Sequence, residues 1–206
     1  MRRAEFIGFY IGLPVVLALA MPPRALFPVL LGMTAVGLWL LARTEGFAWA
    51  ELRRGRVDGG LVAAFAAVVV VVSAGAVEAF APGAFLGLIR RNPAFYGVIV
   101  VLYPILSALP QELLFRVLYF RRYGALLPGG VAGLALNGAV FSLAHLMFWS
   151  WLVSAMTFAG GVIFAWAYAQ RGSFPLAVVL HSVAGWVLFG IGLGAFFYLG
   201  SVQRPF

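Results

Sequence analysis

The chain has 206 residues, of which 64% are hydrophobic and only 10% charged, with a formal net charge of +8. A soluble domain of this size could not keep so much apolar surface from water, since such domains average about 45–50% apolar and about 25% charged residues. The composition therefore excludes a water-soluble globule, and the absence of cysteine excludes disulfides, a thiolate nucleophile and a cysteine metal site.

A membrane-spanning helix needs about 20 mainly apolar residues, and the chain supplies several such runs. They predict an all-α, polytopic transmembrane helix bundle of about seven spans, forming a single integral-membrane domain over residues 1–206. The first span covers about Phe6–Met21; with Met1-Arg2-Arg3 before it and Pro22-Pro23-Arg24 after it, it reads as a retained helix and not a cleaved signal. The second covers about Ala25–Ala42, and a polar loop, Arg43–Asp58, follows. The third, about Gly59–Ala81, carries a valine run that only lipid would hold helical. The fourth, about Ala94–Phe120, is overlong, and Pro104 and Pro110 predict a kink or break before Gln111. The fifth covers about Val131–Trp151, the sixth about Leu152–Gln170 and the seventh about Phe174–Leu199. Phe148-Trp149-Ser150-Trp151 reads as an interfacial anchor, and Gly160, Gly161, Gly190, Gly192 and Gly194 as sites of close helix packing.

All fourteen basic residues are arginines. With the N-terminus cytoplasmic, Arg2, Arg3, Arg43, Arg53, Arg54, Arg56, Arg121, Arg122 and Arg171 fall inside, against Arg24, Arg90, Arg91 and Arg204 outside. The bias favours that orientation and gives the arginines a partner in anionic lipid headgroups, with no need of nucleic acid. The alanine-, valine-, glycine- and arginine-rich usage suggests a bacterial protein of the inner (cytoplasmic) membrane.

Four ionisable residues lie within spans: Glu112, Arg116, His145 and His181, the last two being the only histidines. Each costs about 2.5–3.5 kcal/mol to place in hydrocarbon, so each is expected to face the protein interior and have a partner. Glu112 and Arg116 are one helical turn apart and can pair. At 1.5 Å per residue, Glu112 lies roughly 14 Å, His145 roughly 21 Å and His181 roughly 10 Å from the cytoplasmic ends of their spans. An acid and two histidines at similar depth on three helices define a candidate buried site.

These residues carry a resemblance. Gln111-Glu112-Leu113-Leu114-Phe115-Arg116 resembles the Glu-Glu-x-x-x-Arg motif of the CPBP family, also called the Abi or CAAX-protease family of intramembrane endopeptidases. Phe141-Ser142-Leu143-Ala144-His145 matches its Phe-x-x-x-His motif, and Arg171-Gly172-Ser173-Phe174-Pro175 leading to His181 is similar to its last motif. The motifs fall within about residues 108–186. The resemblance implies cleavage of a peptide or membrane-protein substrate by activated water, without a cofactor and near the cytoplasmic half of the membrane. It assigns the catalytic set to positions 111, 112, 116, 145 and 181.

Two positions depart from the pattern. Gln111 stands where the family has its first Glu, and Gly185 where it has an Asn that supports the oxyanion. Glutamine can orient water but cannot accept its proton. Three readings are open: a Glu-to-Gln replacement that silences an enzyme, a homologue that binds without cleaving, or Glu112 acting as base. Asn137, eight residues before His145, could supply the missing amide, with Phe141 beside it. Outside the resemblance, Glu112, His145 and His181 form a chemically sound zinc ligand set, and a transporter or immunity protein of the same helical class is the non-enzyme alternative.

Overall fold

In the computed structural model, which describes residues 2–197, every regular element is helical. Six helices are long and apolar enough to cross a membrane: α1 (Arg2–Ala20), α2 (Pro23–Ala42), α3 (Gly59–Phe80), α4 (Pro93–Leu126), α6 (Trp151–Ala169) and α7 (Phe174–Ile191). Between α4 and α6 lies a shorter apolar helix, α5 (Gly130–Leu143).

The expected fifth span is thus a shorter element. Fourteen residues rise about 21 Å, short of the roughly 30 Å of hydrocarbon. His145 helps to end it: its amide bonds the Ser142 carbonyl and its Nδ1 the Phe141 carbonyl. A 3₁₀ turn at Leu146–Phe148 and a left-handed Trp149 then reverse the chain, and Ser150 caps α6 by accepting from the Val153 amide. The aromatic stretch is therefore divided. Phe148 is buried while Trp151 is 68% exposed, so the stretch is not one interfacial anchor.

Of the kink or break expected before Gln111, the break is absent. α4 runs on through two π-helical stretches, Pro104–Ala108 and Leu113–Leu118, on either side of Gln111-Glu112. A proline removes the N–H that would bond the carbonyl four residues back; a wider turn absorbs that loss without interrupting the helix. The Val100 carbonyl, deprived of a partner by Pro104, accepts from the Trp186 indole on α7 at 3.0 Å. In the second wide stretch the Leu114 carbonyl accepts from the Tyr10 hydroxyl of α1 at 2.7 Å, and the Phe115 carbonyl from Asn137 Nδ2 of α5 at 2.7 Å. In hydrocarbon, where water cannot serve a loosened backbone, such side chains from neighbouring helices must.

Small residues bring the helices together. A Cβ at Gly138 would meet the Phe158 carbonyl at 2.9 Å, and one at Gly161 would meet Gly138 Cα at 2.9 Å, so α5 and α6 touch backbone to backbone. Gly190 makes the same allowance for Tyr96 on α4, whereas Gly160 contacts only Phe164 of its own helix. α2 packs mainly on α4, and α3 on α7.

One end of the bundle is tied by polar contacts. Arg122 pairs with Glu5 at 2.9 Å, and Arg121 with Glu51 at 3.1 Å. Ser173 donates to the Arg56 carbonyl while capping α7 through the Leu176 amide. The N-terminal segment, the 43–58 loop, the end of α4 and the start of α7 therefore share one face, as the arginine grouping requires. Arg204 and the end of the expected seventh span lie outside the described residues.

The cysteine-free sequence makes this arrangement testable. Ala50→Cys and Gln170→Cys should react with a membrane-impermeant maleimide from the same side of intact vesicles, and Gly83→Cys only from the other. Labelling of positions 50 and 170 from opposite sides would contradict the fold.

Candidate functional site

The motif residues of α4 diverge around the helix. Adjacent helical residues point about 100° apart; Glu112 turns into the protein and is fully buried, whereas Gln111 faces a cavity. Arg116 is also fully buried, with its Nε 3.1 Å from Glu112 Oε2. The other carboxylate oxygen, Oε1, lies 2.8 Å from His181 Nδ1 on α7. Arg116 Nη1 donates to Asn137 Oδ1 at 2.9 Å and to the Phe115 carbonyl at 3.3 Å. Its contact with Glu112 Oε2 is an ion pair without hydrogen-bond geometry, and Nη2 has no hydrogen-bond partner, but the guanidinium carbon lies 4.7 Å from the Phe141 ring centre and 5.6 Å from that of Phe164. Aromatic faces attract a desolvated cation, so the charge is met by rings where oxygens are lacking.

The same rings fix the histidines. Phe164 stacks on His181 with centroids 4.9 Å apart and planes 12° apart. Phe141 stands edge-on between the two imidazoles, 4.7 Å from His145 and 5.6 Å from His181. A backbone carbonyl can only accept, so the Phe141 carbonyl requires the proton of His145 on Nδ1, which leaves Nε2 as the open nitrogen. The Glu112 carboxylate likewise accepts a hydrogen bond from His181 Nδ1. The position of α7 follows from the turn before it: Gly172 has φ +64°, and Gly55, at φ +95°, lies against Ser173 so closely that a Cβ there would strike it.

The cavity measures about 510 Å³. Gln111, His145 and His181 all line it, together with Tyr103, Ser107 and Gly185. The rest of its wall is apolar, including Leu30 of α2, Val69 of α3, and Phe115, Phe148 and Phe164. Phe27, Val68 and Val72 also line it and are 46%, 60% and 54% exposed. The cavity thus reaches the flank of the bundle between α2 and α3.

The candidate residues sort into two groups. Gln111, His145, His181, Phe141 and Gly185 border the cavity, whereas Glu112, Arg116 and Asn137 do not. Asn137 does not serve as a substitute amide at the cavity: it is fully buried, its oxygen takes Arg116 and its nitrogen is given to Phe115. Gly185 leaves no empty place either. A side chain there would collide with the Tyr103 ring, which already covers that part of α7. Among the described residues no three His, Asp or Glu groups form a cluster able to hold a metal ion; both oxygens of Glu112 are turned to Arg116 and His181. Sequence reasoning overlooked Tyr103 and Ser107, although with Gln111 they recur every four residues as a polar stripe on an otherwise apolar helix.

The apolar helices make this an integral membrane protein, and its mostly apolar cavity carries two imidazoles and an amide on its wall. Residues 92–187 match the family described as type II CAAX prenyl endopeptidase Rce1-like, a family of proteases and the one that the three motifs resemble. No curated protein and no solved structure matches the chain.

Removing Arg116 alone strands a buried carboxylate, which typically costs about 3–5 kcal/mol. Arg116→Met should therefore lower the melting temperature of the purified protein sharply, and Arg116→Met with Glu112→Leu should recover most of the loss. A double variant as unstable as the single one would show that the pair is not a self-contained unit.

Proposed function

We propose that the cavity is the active site of an intramembrane endopeptidase and that position 111 is its water-activating position. The observation that carries the reading is the division of the motif: Gln111 borders the cavity with His145 and His181, while Glu112 is walled off. In the proposed reaction a water sits between position 111 and the open nitrogen of His145 and attacks the scissile carbonyl. A carboxylate at 111 would take the water's proton as attack proceeds and return it to the leaving amine. No metal or other cofactor takes part. His181, held by Glu112, borders the site of the tetrahedral intermediate, and Arg116 pairs with Glu112 and holds it in place.

This geometry argues against Glu112 as the base. A base must come within hydrogen-bond reach of the proton it removes, and both carboxylate oxygens are engaged away from the cavity. The chain as written, with an amide at 111, holds substrate and cleaves it slowly. Its substrate is a peptide or membrane protein entering from the lipid flank. The arginine-rich end faces the cytoplasm of a bacterial inner membrane, so the cut falls in the inner half of the bilayer, and lipids are the remaining partners. The alternative of a silent binding or immunity protein rests on Gln111 itself.

General-base catalysis contributes about 10²–10⁴-fold. Gln111→Glu should raise cleavage of the apolar peptides that co-purify with the wild-type chain by at least about 10², His145→Ala should abolish the gain, and a chelator should leave it intact. Glu112→Gln should lower stability without being the step that removes residual cleavage. If Gln111→Glu adds nothing while Glu112→Gln abolishes turnover, the base is Glu112; if no variant cleaves a bound peptide, the chain is a binding protein.

A further inference from the structure

The stripe Tyr103, Ser107, Gln111 runs along the cavity side of α4. Gln111 Nε2 donates to Ser107 Oγ at 2.8 Å, and Tyr103 stands one turn further along the same helix face. The ring lies directly over Gly185, one turn beyond His181, with its centroid 5.9 Å from that imidazole. Any residue larger than glycine at 185 would displace it.

On the reading that the cavity cleaves peptides, we infer that Tyr103 is a catalytic residue: its phenol donates the hydrogen bond that steadies the oxygen of the tetrahedral intermediate, and Gly185 is the space in which its ring stands. The chain lacks a donor side chain at 185, and Asn137 is committed to Arg116 and Phe115. Tyr103 is the one phenol bordering the cavity among the described residues, on the same wall as Gln111 and beside His181. No proton need leave the phenol; it donates a hydrogen bond to an oxygen whose negative charge appears during water attack and disappears when the carbon–nitrogen bond breaks. Such fixed donors favour the transition state over the bound ground state.

Two measurements test this. Melting temperatures come first and need no activity. Gly185→Ala should destabilise the chain that carries Tyr103 and be nearly neutral beside Tyr103→Ala; an equal loss in both would overturn the ring–glycine pairing. Kinetics come second, in the Gln111→Glu background, with a Leu/Ala-rich membrane peptide bearing a dye and quencher about a central Gly-Gly, in phosphatidylethanolamine–phosphatidylglycerol vesicles. Losing one oxyanion donor typically lowers kcat by about 10²–10³-fold. Tyr103→Phe, which keeps the ring, should lower kcat by that order with little change in KM and in melting temperature. An unchanged kcat, or a loss confined to KM, would overturn the donor role. If Gln111→Glu cleaves nothing, the protease reading fails and the donor role with it, while the melts still decide the pairing.

Discussion

The fully buried carboxylate of Glu112 sets the terms for the rest of the structure. An ionised group of this kind is tolerated in hydrocarbon only if opposite charge and donors surround it. Here Arg116 approaches one oxygen and His181 the other. Arg116 is then held by Asn137 and by the faces of Phe141 and Phe164. Three helices, α4, α5 and α7, are thereby fixed at one depth, and α6 joins through Phe164. Replacing such a pair with apolar residues need not cost stability. Its value here is specificity: few other arrangements of these helices would satisfy all the groups at once.

From that constraint the cavity follows. Because Glu112 must turn inward, its neighbour Gln111 is turned to another side of α4, where α7 and the turn after α5 leave room. His181 is used twice, with Nδ1 committed to Glu112 and the opposite edge of the ring available. His145 reaches the same space because α5 stops early, so its side chain projects from a helix end and not from the side of a continuous span. The short α5 and the two π-helical stretches of α4 are departures from regular spans, and both occur beside the cavity. Wide turns of this kind often mark functional sites, and here they let side chains from α1, α5 and α7 bond α4's backbone.

Much of this was legible in the sequence. Apolar run lengths located the long helices, and arginine placement grouped the loops that share one end. The cost of charge in lipid singled out Glu112, Arg116, His145 and His181, and their four-residue spacing paired the first two. Less legible were features that depend on a third element. Pro104 and Pro110 suggested a break because a sequence does not reveal that Trp186 and wide turns would serve the loosened backbone. Asn137 read as a substitute amide for the cavity, and its engagement with Arg116 and Phe115 was not legible, since nothing in the spacing places the Phe115 carbonyl beside it. Phe148 looked interfacial because its turn back to the cavity depends on the left-handed Trp149. The make-up of the cavity wall was not legible either: apolar residues supply most of it, and polar groups occupy one side.

The central claim is that residues 111 and 112 occupy different environments, one open to the cavity and the other closed off by its partners. A hydrophobic carbodiimide, which enters apolar cavities and couples to carboxyl groups, tests it with mass spectrometry as the readout. In the wild-type chain in native-like lipid, Glu112 should remain unmodified, and in Gln111→Glu the introduced carboxylate should be modified while Glu112 stays untouched. Modification of Glu112 in the wild-type chain would show that the acid faces the cavity and would contradict the account.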